Sequence, residues 1–545
     1  MCGIFCYFNM FHISHLTKPF IEAEFKKIRH RGPDSSNFVQ INSNVLFGFH
    51  RLRVNDLTKD GDQPINYKDT NTICNGEIFN HQYIKKKYDL DCKSKSDCEV
   101  IPLLYEKLME KYDTQEALQK LCRELDGEFA CIINDSKRKL LTVFRDPYGV
   151  RPLFIGFDNE KVLFSSELKA INNLASSISQ FPQGMCMILD YNTFTTGINY
   201  IKYTDDLSSS LMCPSLGIDY YLTNLKAILT NSVKKRLMSD RGICALLSGG
   251  LDSSIVCSIA SKELNKMGKK LCTFSIGLEG SQDLKCARDA AKFIGSDHTS
   301  VICSKEDFLI SIPEVIRITE SYDVTTIRAS VGNYLVSKHI AENTNYKVVL
   351  NGDYSDEVIG GYLYMKAAPN AFEFDKECKK LMENIIYFDS LRSDRTISSQ
   401  GLEGRVPFAD KHFVQFYNNI PLEFRYKPKS IEKYMLRDAF NDGTYLPDEI
   451  LYRKKEAFSD GVSSIDDSWH SIIGKWVDEK ITDDEFSNYK YWYNHNKPET
   501  KEALLYRNIF ESIYSHKTVI PHFWMPNKDW VDTTDPSART LKDIY

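Results

Sequence analysis

Ser248-Gly249-Gly250-Leu251-Asp252-Ser253-Ser254 lies between an apolar run at 243–247 and a helical pattern from about 252 to 267. Its placement decides how the chain is read. A strand that feeds a glycine-rich turn and then a helix aims backbone N–H groups, and the positive end of the helix, at one spot. Ser253 and Ser254 add hydroxyl donors for a phosphate, and Asp252 stands where it caps the helix or holds a cation. No lysine follows the glycines, so this is not a Walker-type loop. Upstream, 221–237 reads as a helix with Leu222, Leu225, Leu229 and Val233 on one stripe. Downstream, strands are predicted at 271–277, 299–303 and 347–351, with a helix at 283–294. Such alternation predicts a doubly wound parallel sheet with helices on both faces, followed beyond about 370 by a largely helical part.

The first 200 residues, roughly, read differently. Short apolar runs recur at 2–8, 44–52, 72–79, 129–134, 140–145, 153–157 and 162–165. Asn134-Asp135-Ser136 and Asp158-Asn159 mark hairpin turns, and 98–112 and 114–125 are helical. This predicts sheets covered by helices. The polar, Pro/Gly-containing stretch 205–217 marks a linker. The expected organisation is a two-domain α/β chain: domain 1–204, linker 205–219 and domain 220–545.

Composition narrows the class. With 42% hydrophobic and 26% charged residues, global disorder is excluded. A net charge of -5 gives no polybasic footprint, so no nucleic-acid partner is expected. The chain has no apolar run of transmembrane length, and Met1-Cys2-Gly3-Ile4-Phe5 lacks a basic leader, so no membrane is expected. The 15 cysteines are odd in number and unpaired in spacing, which fits a reducing, cytoplasmic compartment. The 12 histidines show no metal-ligand spacing, so no tightly bound protein metal is expected. Lys85-Lys86-Lys87 and Lys234-Lys235-Arg236 read as solvated faces.

Cys2 follows Met1 directly. Removal of Met1 would leave a thiol nucleophile and an α-amine of near-neutral pKa on one residue. Further along come Arg51 at a strand end, Asn75-Gly76-Glu77 at another, and Asp97 opening a helix. In this order they resemble the class II glutamine amidotransferases, αββα sandwiches of the N-terminal-nucleophile type. The resemblance implies that Cys2 attacks the side-chain amide of glutamine while Asn75 and the Gly76 N–H hold the oxyanion. It pairs Arg51 with the α-carboxylate and Asp97 with the α-ammonium. It completes the glutamine site with Leu52, Arg53, Val54, Asn55 and Glu77.

The Ser248 loop is similar to the pyrophosphate loop of enzymes that split ATP into AMP and pyrophosphate while adenylating a substrate. Three further stretches carry the likeness: Thr325-Thr326-Ile327-Arg328-Ala329-Ser330, Gly404-Arg405-Val406-Pro407-Phe408 and Arg453-Lys454-Lys455-Glu456-Ala457-Phe458-Ser459-Asp460-Gly461. Over almost its whole length the chain resembles the glutamine-hydrolysing asparagine synthetase family in its eukaryotic form. The resemblance implies that ATP, with Mg²⁺, adenylates the side-chain carboxylate of aspartate, and that ammonia from glutamine then displaces AMP. The implied ATP site is Leu246, Ser248, Gly249, Gly250, Asp252, Ser253, Ser254, Ile276, Asn351, Gly352 and Lys455, with Asp252 and Asp356 on the magnesium side. Arg405 either pairs internally or holds substrate. The implied partners are glutamine, aspartate and ATP; a homodimer is left open. The family routes ammonia through an interdomain tunnel, which the sequence does not display.

The chain departs from the family pattern in one loop and at one position outside it. Where the family carries Ser-Gly-Glu-Gly-(Ser/Ala)-Asp-Glu, this chain has Asn351-Gly352-Asp353-Tyr354-Ser355-Asp356-Glu357. The catalytic carboxylate becomes Asp353, one methylene shorter, and a glycine becomes Tyr354. Gly404 stands where the family has leucine. These changes keep two alternatives open: a related amidotransferase for another carboxylate, or a glutaminase or binding protein with an impaired synthetase site.

Overall fold

The computed structural model describes all residues except 15–16, 193–199, 205–215, 428–429, 457, 464–467 and 538–545. The N-terminal part is a pair of six-stranded antiparallel sheets. One runs, edge to edge, Ser177–Gln180, Phe154–Asp158, Lys161–Ser165, Gly3–Asn9, Val45–Arg51 and Ser35–Gln40. The other runs Tyr200–Lys202, Met185–Asp190, Leu140–Arg145, Gly127–Asp135, Thr70–Ile78 and Ile65–Tyr67. Strand alternation builds the layers. Ile4, Cys6 and Phe8 meet Ile73, Ile132 and Val143 between the sheets. Phe5 and Tyr7, on the opposite face, pack with Ile21 and Phe25 of the helix Lys18–Lys26. Cys74, Cys131 and Phe144 lie under the helices Val100–Met109 and Thr114–Glu124. The result is the expected αββα sandwich.

The C-terminal part carries a five-stranded, all-parallel sheet. Its order is Asp297–Cys303, Cys272–Leu278, Gly242–Leu246, Tyr346–Leu350 and Glu403–Arg405. Numbered along the chain this is 3-2-1-4-5, so the winding reverses between Gly242–Leu246 and Tyr346–Leu350. Ligands of such sheets sit beyond the carboxyl ends of the strands at that reversal. The Ser248 loop leaves the first of these two strands and the Asn351 loop leaves the second. The strand Glu403–Arg405 was not expected, because three residues carry no readable alternation. Of the predicted linker, 205–215 lies outside the described residues, and Ile218 and Asp219 already belong to the helix Ile218–Lys235.

The two parts are joined by buried ion pairs. Arg31 reaches Asp394 at 2.7 and 3.0 Å, and Arg236 reaches Glu128 at 2.8 Å. The Glu320 carboxylate accepts the N–H groups of Leu168 and Lys169, both at 2.8 Å. The reading of Lys234-Lys235-Arg236 as a solvated face is corrected here. Arg236 is buried on Glu128 and Asp410, and Lys235 pairs with Asp126 at 2.6 Å. A surface run and an interface run have the same composition; only the docked neighbour distinguishes them. Among the described residues no helix is long and apolar enough to cross a membrane, and the cysteines are free thiols.

Candidate active site

Two centres form, one in each part. In the first, Cys2 precedes the central strand Gly3–Asn9 and is fixed through its backbone. Its N–H donates to Asn75 Oδ1 at 2.9 Å, and its carbonyl accepts from Arg31 Nε at 3.0 Å. The thiol lies 3.9 Å from the Leu52 carbonyl. Burial pushes the thiol pKa up, opposed by the terminal ammonium, the Leu52 contact and Arg51. Asn75 is fully buried, and its Nδ2 has no partner among the described residues. A buried amide donor left unsatisfied beside a nucleophile is a preorganised oxyanion donor. Phe129, opposite Gly76, uses its own N–H and C=O on Asp146, which leaves the Gly76 N–H turned away from that strand. A Cβ at Gly76 would stand 2.3 Å from the Glu128 carbonyl, so no other residue fits there.

Glu77 and Asp97 are both buried beside this strand. Burial, Asp97 and Glu403 hold Glu77 well above the ordinary carboxylate pKa, against the pull of Arg405. Burial also raises Asp97, although its carboxylate accepts the Ile78 N–H at 2.6 Å. Asn55 Nδ2 donates to Glu77. Two such carboxylates have a deficit of positive charge that an ammonium group would fill. Arg51 is spent locally: it donates to Asp62 at 2.7 Å and to the carbonyls of Thr58, Asn55 and Asp56. It braces the loop after its strand. Arg53 donates its N–H to Asp34 at 2.8 Å. Leu52 and Val54 pack on Val348 of the parallel sheet, so this loop touches both parts of the chain.

The second centre is a cavity of about 220 Å³ at the reversal of the parallel sheet. Gly249 has φ of +74°, and a Cβ there would stand 2.4 Å from the Cys286 backbone. Gly352 brings the two loops together, since a Cβ would stand 2.8 Å from the Ser253 nitrogen. Ser253 Oγ accepts the Ser248 N–H at 3.2 Å and closes the turn. Asp252 does not cap the helix; Gly250 holds the N-cap position and Asp252 lies in the first turn of Leu251–Lys266. Its carboxylate pairs with Lys433 at 2.6 Å and Lys455 at 3.7 Å. Asp356 pairs with the same two lysines at 2.6 and 2.8 Å. Burial would raise Asp356, but the two lysines hold it far below the ordinary carboxylate value.

Of the residues named from the sequence, Leu246, Ser248, Gly250, Asp252, Ser253, Asn351, Gly352, Asp353, Asp356 and Lys455 line this cavity. Gly249, Ser254 and Ile276 are not in its wall. Asp353 Oδ1 accepts from Arg392 Nη2 at 2.7 Å. Asp353 Oδ2 and Thr325 Oγ1 are buried without a partner among the described residues, and both residues line the cavity. Tyr354 has φ of +72°, the left-handed region that favours glycine. Arg405 is fully buried and internal: it pairs with Glu403 at 2.8 Å and donates to the Arg236 carbonyl at 2.7 Å. Sequence reasoning missed Lys433 and Arg392. Each acquires its role from a partner far away in the chain.

A thiol at position 2 with an orphan amide donor beside it, joined to a doubly wound sheet with a cation-rich switch point, defines a two-centre amidotransferase. Family models place a glutamine amidotransferase domain at residues 1–202 and asparagine synthase at 224–377 and 367–530. The chain is 39% identical to a probable glutamine-hydrolysing asparagine synthetase of Acanthamoeba polyphaga mimivirus, covering 99% of this chain and 100% of that one. It is also 39% identical to the glutamine-hydrolysing asparagine synthetases of Gallus gallus and Homo sapiens, over 99% of this chain and 99% and 98% of theirs. The chain belongs to the family of glutamine-hydrolysing asparagine synthetases.

Proposed function

We propose that this chain makes asparagine from aspartate, ATP and glutamine. One observation carries the reading: the Lys433–Lys455–Asp252–Asp356 cluster at a helix N-terminus beside the unpartnered Asp353 carboxylate oxygen. In the first centre the Cys2 sulfur attacks the amide carbon of glutamine, with the α-amine exposed by loss of Met1 taking the thiol proton. Asn75 Nδ2 and the Gly76 N–H hold the oxyanion. Ammonia leaves, and water releases glutamate from the thioester. Glu77 and Asp97 hold the α-ammonium group. The α-carboxylate falls to Arg51 once a bond to Asp62 is exchanged.

In the second centre the aspartate side-chain carboxylate attacks the α-phosphorus of ATP and expels pyrophosphate. Lys433 and Lys455 exchange their carboxylate partners for phosphate oxygens, and the N–H groups of the Ser248 loop hold the leaving group. Asp252 and Asp356 would hold a magnesium ion arriving with ATP, and that ion would neutralise phosphate charge. Ammonia then attacks the acyl carbon, AMP leaves, and Asp353 accepts the proton. Thr325 and Arg392 orient aspartate. The units doing this are residues 1–204 and 220–545.

The test is pyrophosphate release across a panel of carboxylic acids, with ammonia as nitrogen source. Aspartate is expected to give pyrophosphate, AMP and asparagine in equal amounts. Release with another acid in preference to aspartate would overturn the substrate assignment, and release with none would overturn the reaction.

A further inference from the structure

Tyr354 is not used by the chemistry above, yet it occupies the space between the two centres. Its side chain is 1% exposed, and its hydroxyl is hydrogen-bonded to Ser390. Its ring belongs to the same apolar cluster as Tyr148 and Val150 of the N-terminal part. A small cavity lies where Tyr354 meets Met1, Val150, Arg151, Ser390 and Gly404. Met1, bonded to Cys2, is part of its wall. So is Tyr354, bonded to Asp353. The cavity is thus walled by the chain neighbours of both the nucleophile and the carboxylate that receives ammonia.

Its size decides its state. The free volume is about 10 Å³. A single water needs at least that much, and ammonia is of similar size. The route is shut in this conformation. Loss of Met1, which the N-terminal cysteine requires, opens the wall beside Cys2, and the Tyr354 ring is then the remaining obstruction. Gly404 offers no side chain to that wall; a Cβ there would stand 2.9 Å from Ile397 and 3.7 Å from the Met1 methyl. Two of the three departures from the family pattern, Tyr354 and Gly404, thus face one cavity: bulk added on one side, bulk absent on the other. Arg151 is buried, with its Nε unpartnered among the described residues. Its charge is balanced by Glu128 at 3.0 Å and by Asp394 on the same wall, so this buried lining suits neutral ammonia better than ammonium.

We propose that Tyr354 is a gate on the internal ammonia route, shut by its ring and latched by Ser390, and opened when the Asn351–Glu357 loop reorganises around the activated aspartate. The left-handed backbone at Tyr354 supports this, because strain held at such a position is released when the loop moves. The proposal rests on the asparagine-forming activity proposed above.

The test compares the unaltered protein with Tyr354→Gly and Ser390→Ala at subsaturating aspartate. Glutamate and asparagine are measured with glutamine as nitrogen source, and asparagine with ammonium chloride. Glycine at this backbone angle is relaxed, and Ser390→Ala keeps the ring while removing the latch. The gate predicts that glutamate formed per asparagine rises about fivefold or more in Tyr354→Gly and less in Ser390→Ala, while ammonia-driven synthesis stays within about twofold. An unchanged ratio, or equal losses with both nitrogen sources, overturns the gate and leaves Tyr354 a packing residue of the loop. No asparagine from either source in the unaltered protein overturns the activity itself, and the gate with it.

Discussion

The two centres use opposite electrostatic designs. Around Cys2, the buried carboxylates Glu77 and Asp97 have too little positive charge near them, and both are pushed above the ordinary carboxylate range. At the sheet reversal, Asp252 and Asp356 are matched by Lys433 and Lys455, and Asp356 is driven far below it. The first centre is complementary to a substrate that brings a cation. The second holds two cations, Lys433 and Lys455, in reserve for a polyanion. Burying a charge without its partner costs several kcal/mol, so each centre is completed by its own ligand and poorly served by the other's.

The largest expected break in this comparison is Cys2→Ala. Glutamate formation should fall on the order of 10⁴-fold or more, as for other removed nucleophiles, while ammonia-driven asparagine synthesis is retained. Parallel loss of both activities would show that the centres are not chemically separate. Next is Lys455→Met. Pyrophosphate release should fall about 10²- to 10³-fold, the scale for one lost electrostatic stabiliser, with glutaminase turnover unchanged. Asp353→Asn keeps the size of the side chain but cannot accept a proton. Its expected loss is about 100-fold in synthesis, from the low end of general-base effects. A loss no greater than about twofold would make Asp353 a mere hydrogen-bonding partner of Arg392.

The smallest effect is a pH dependence. Asp97 and Glu77 have raised pKa values, so the ligand-free centre retains a proton at pH values where a free carboxylate has lost it. Glutamine's ammonium favours the ionised pair, so binding releases that proton and tightens as pH rises above the usual carboxylate range. The expected reading is a several-fold rise in kcat/KM for glutamine from about pH 5 to 7, flattened in Asp97→Asn. The same range should leave ammonia-driven synthesis without that component. An identical slope in Asp97→Asn would remove the carboxylate pair from the explanation.

Legibility followed locality. The Ser248 loop was readable because its seven residues carry turn, donors and helix start together. The two sheets of the N-terminal part were readable from runs such as 140–145, where the strand is Leu140–Arg145 as predicted. Lys433 was not, because its partner Asp252 lies 181 residues away. Arg236 looked solvated for the same reason: Glu128, which buries it, is 108 residues distant. The conflict at Tyr354 was visible as a bulky residue at a glycine position. Its left-handed backbone and its place against Val150 come only from the fold.

The central claim is that the altered loop still supports adenylation of the aspartate side chain. Aspartate labelled with ¹⁸O in that carboxylate tests it most directly, with AMP, pyrophosphate and any inorganic phosphate analysed by mass spectrometry. Attack on the α-phosphorus, followed by displacement by ammonia, leaves one labelled oxygen in AMP and none in pyrophosphate. Unlabelled AMP formed alongside asparagine, or label in inorganic phosphate, would contradict the account.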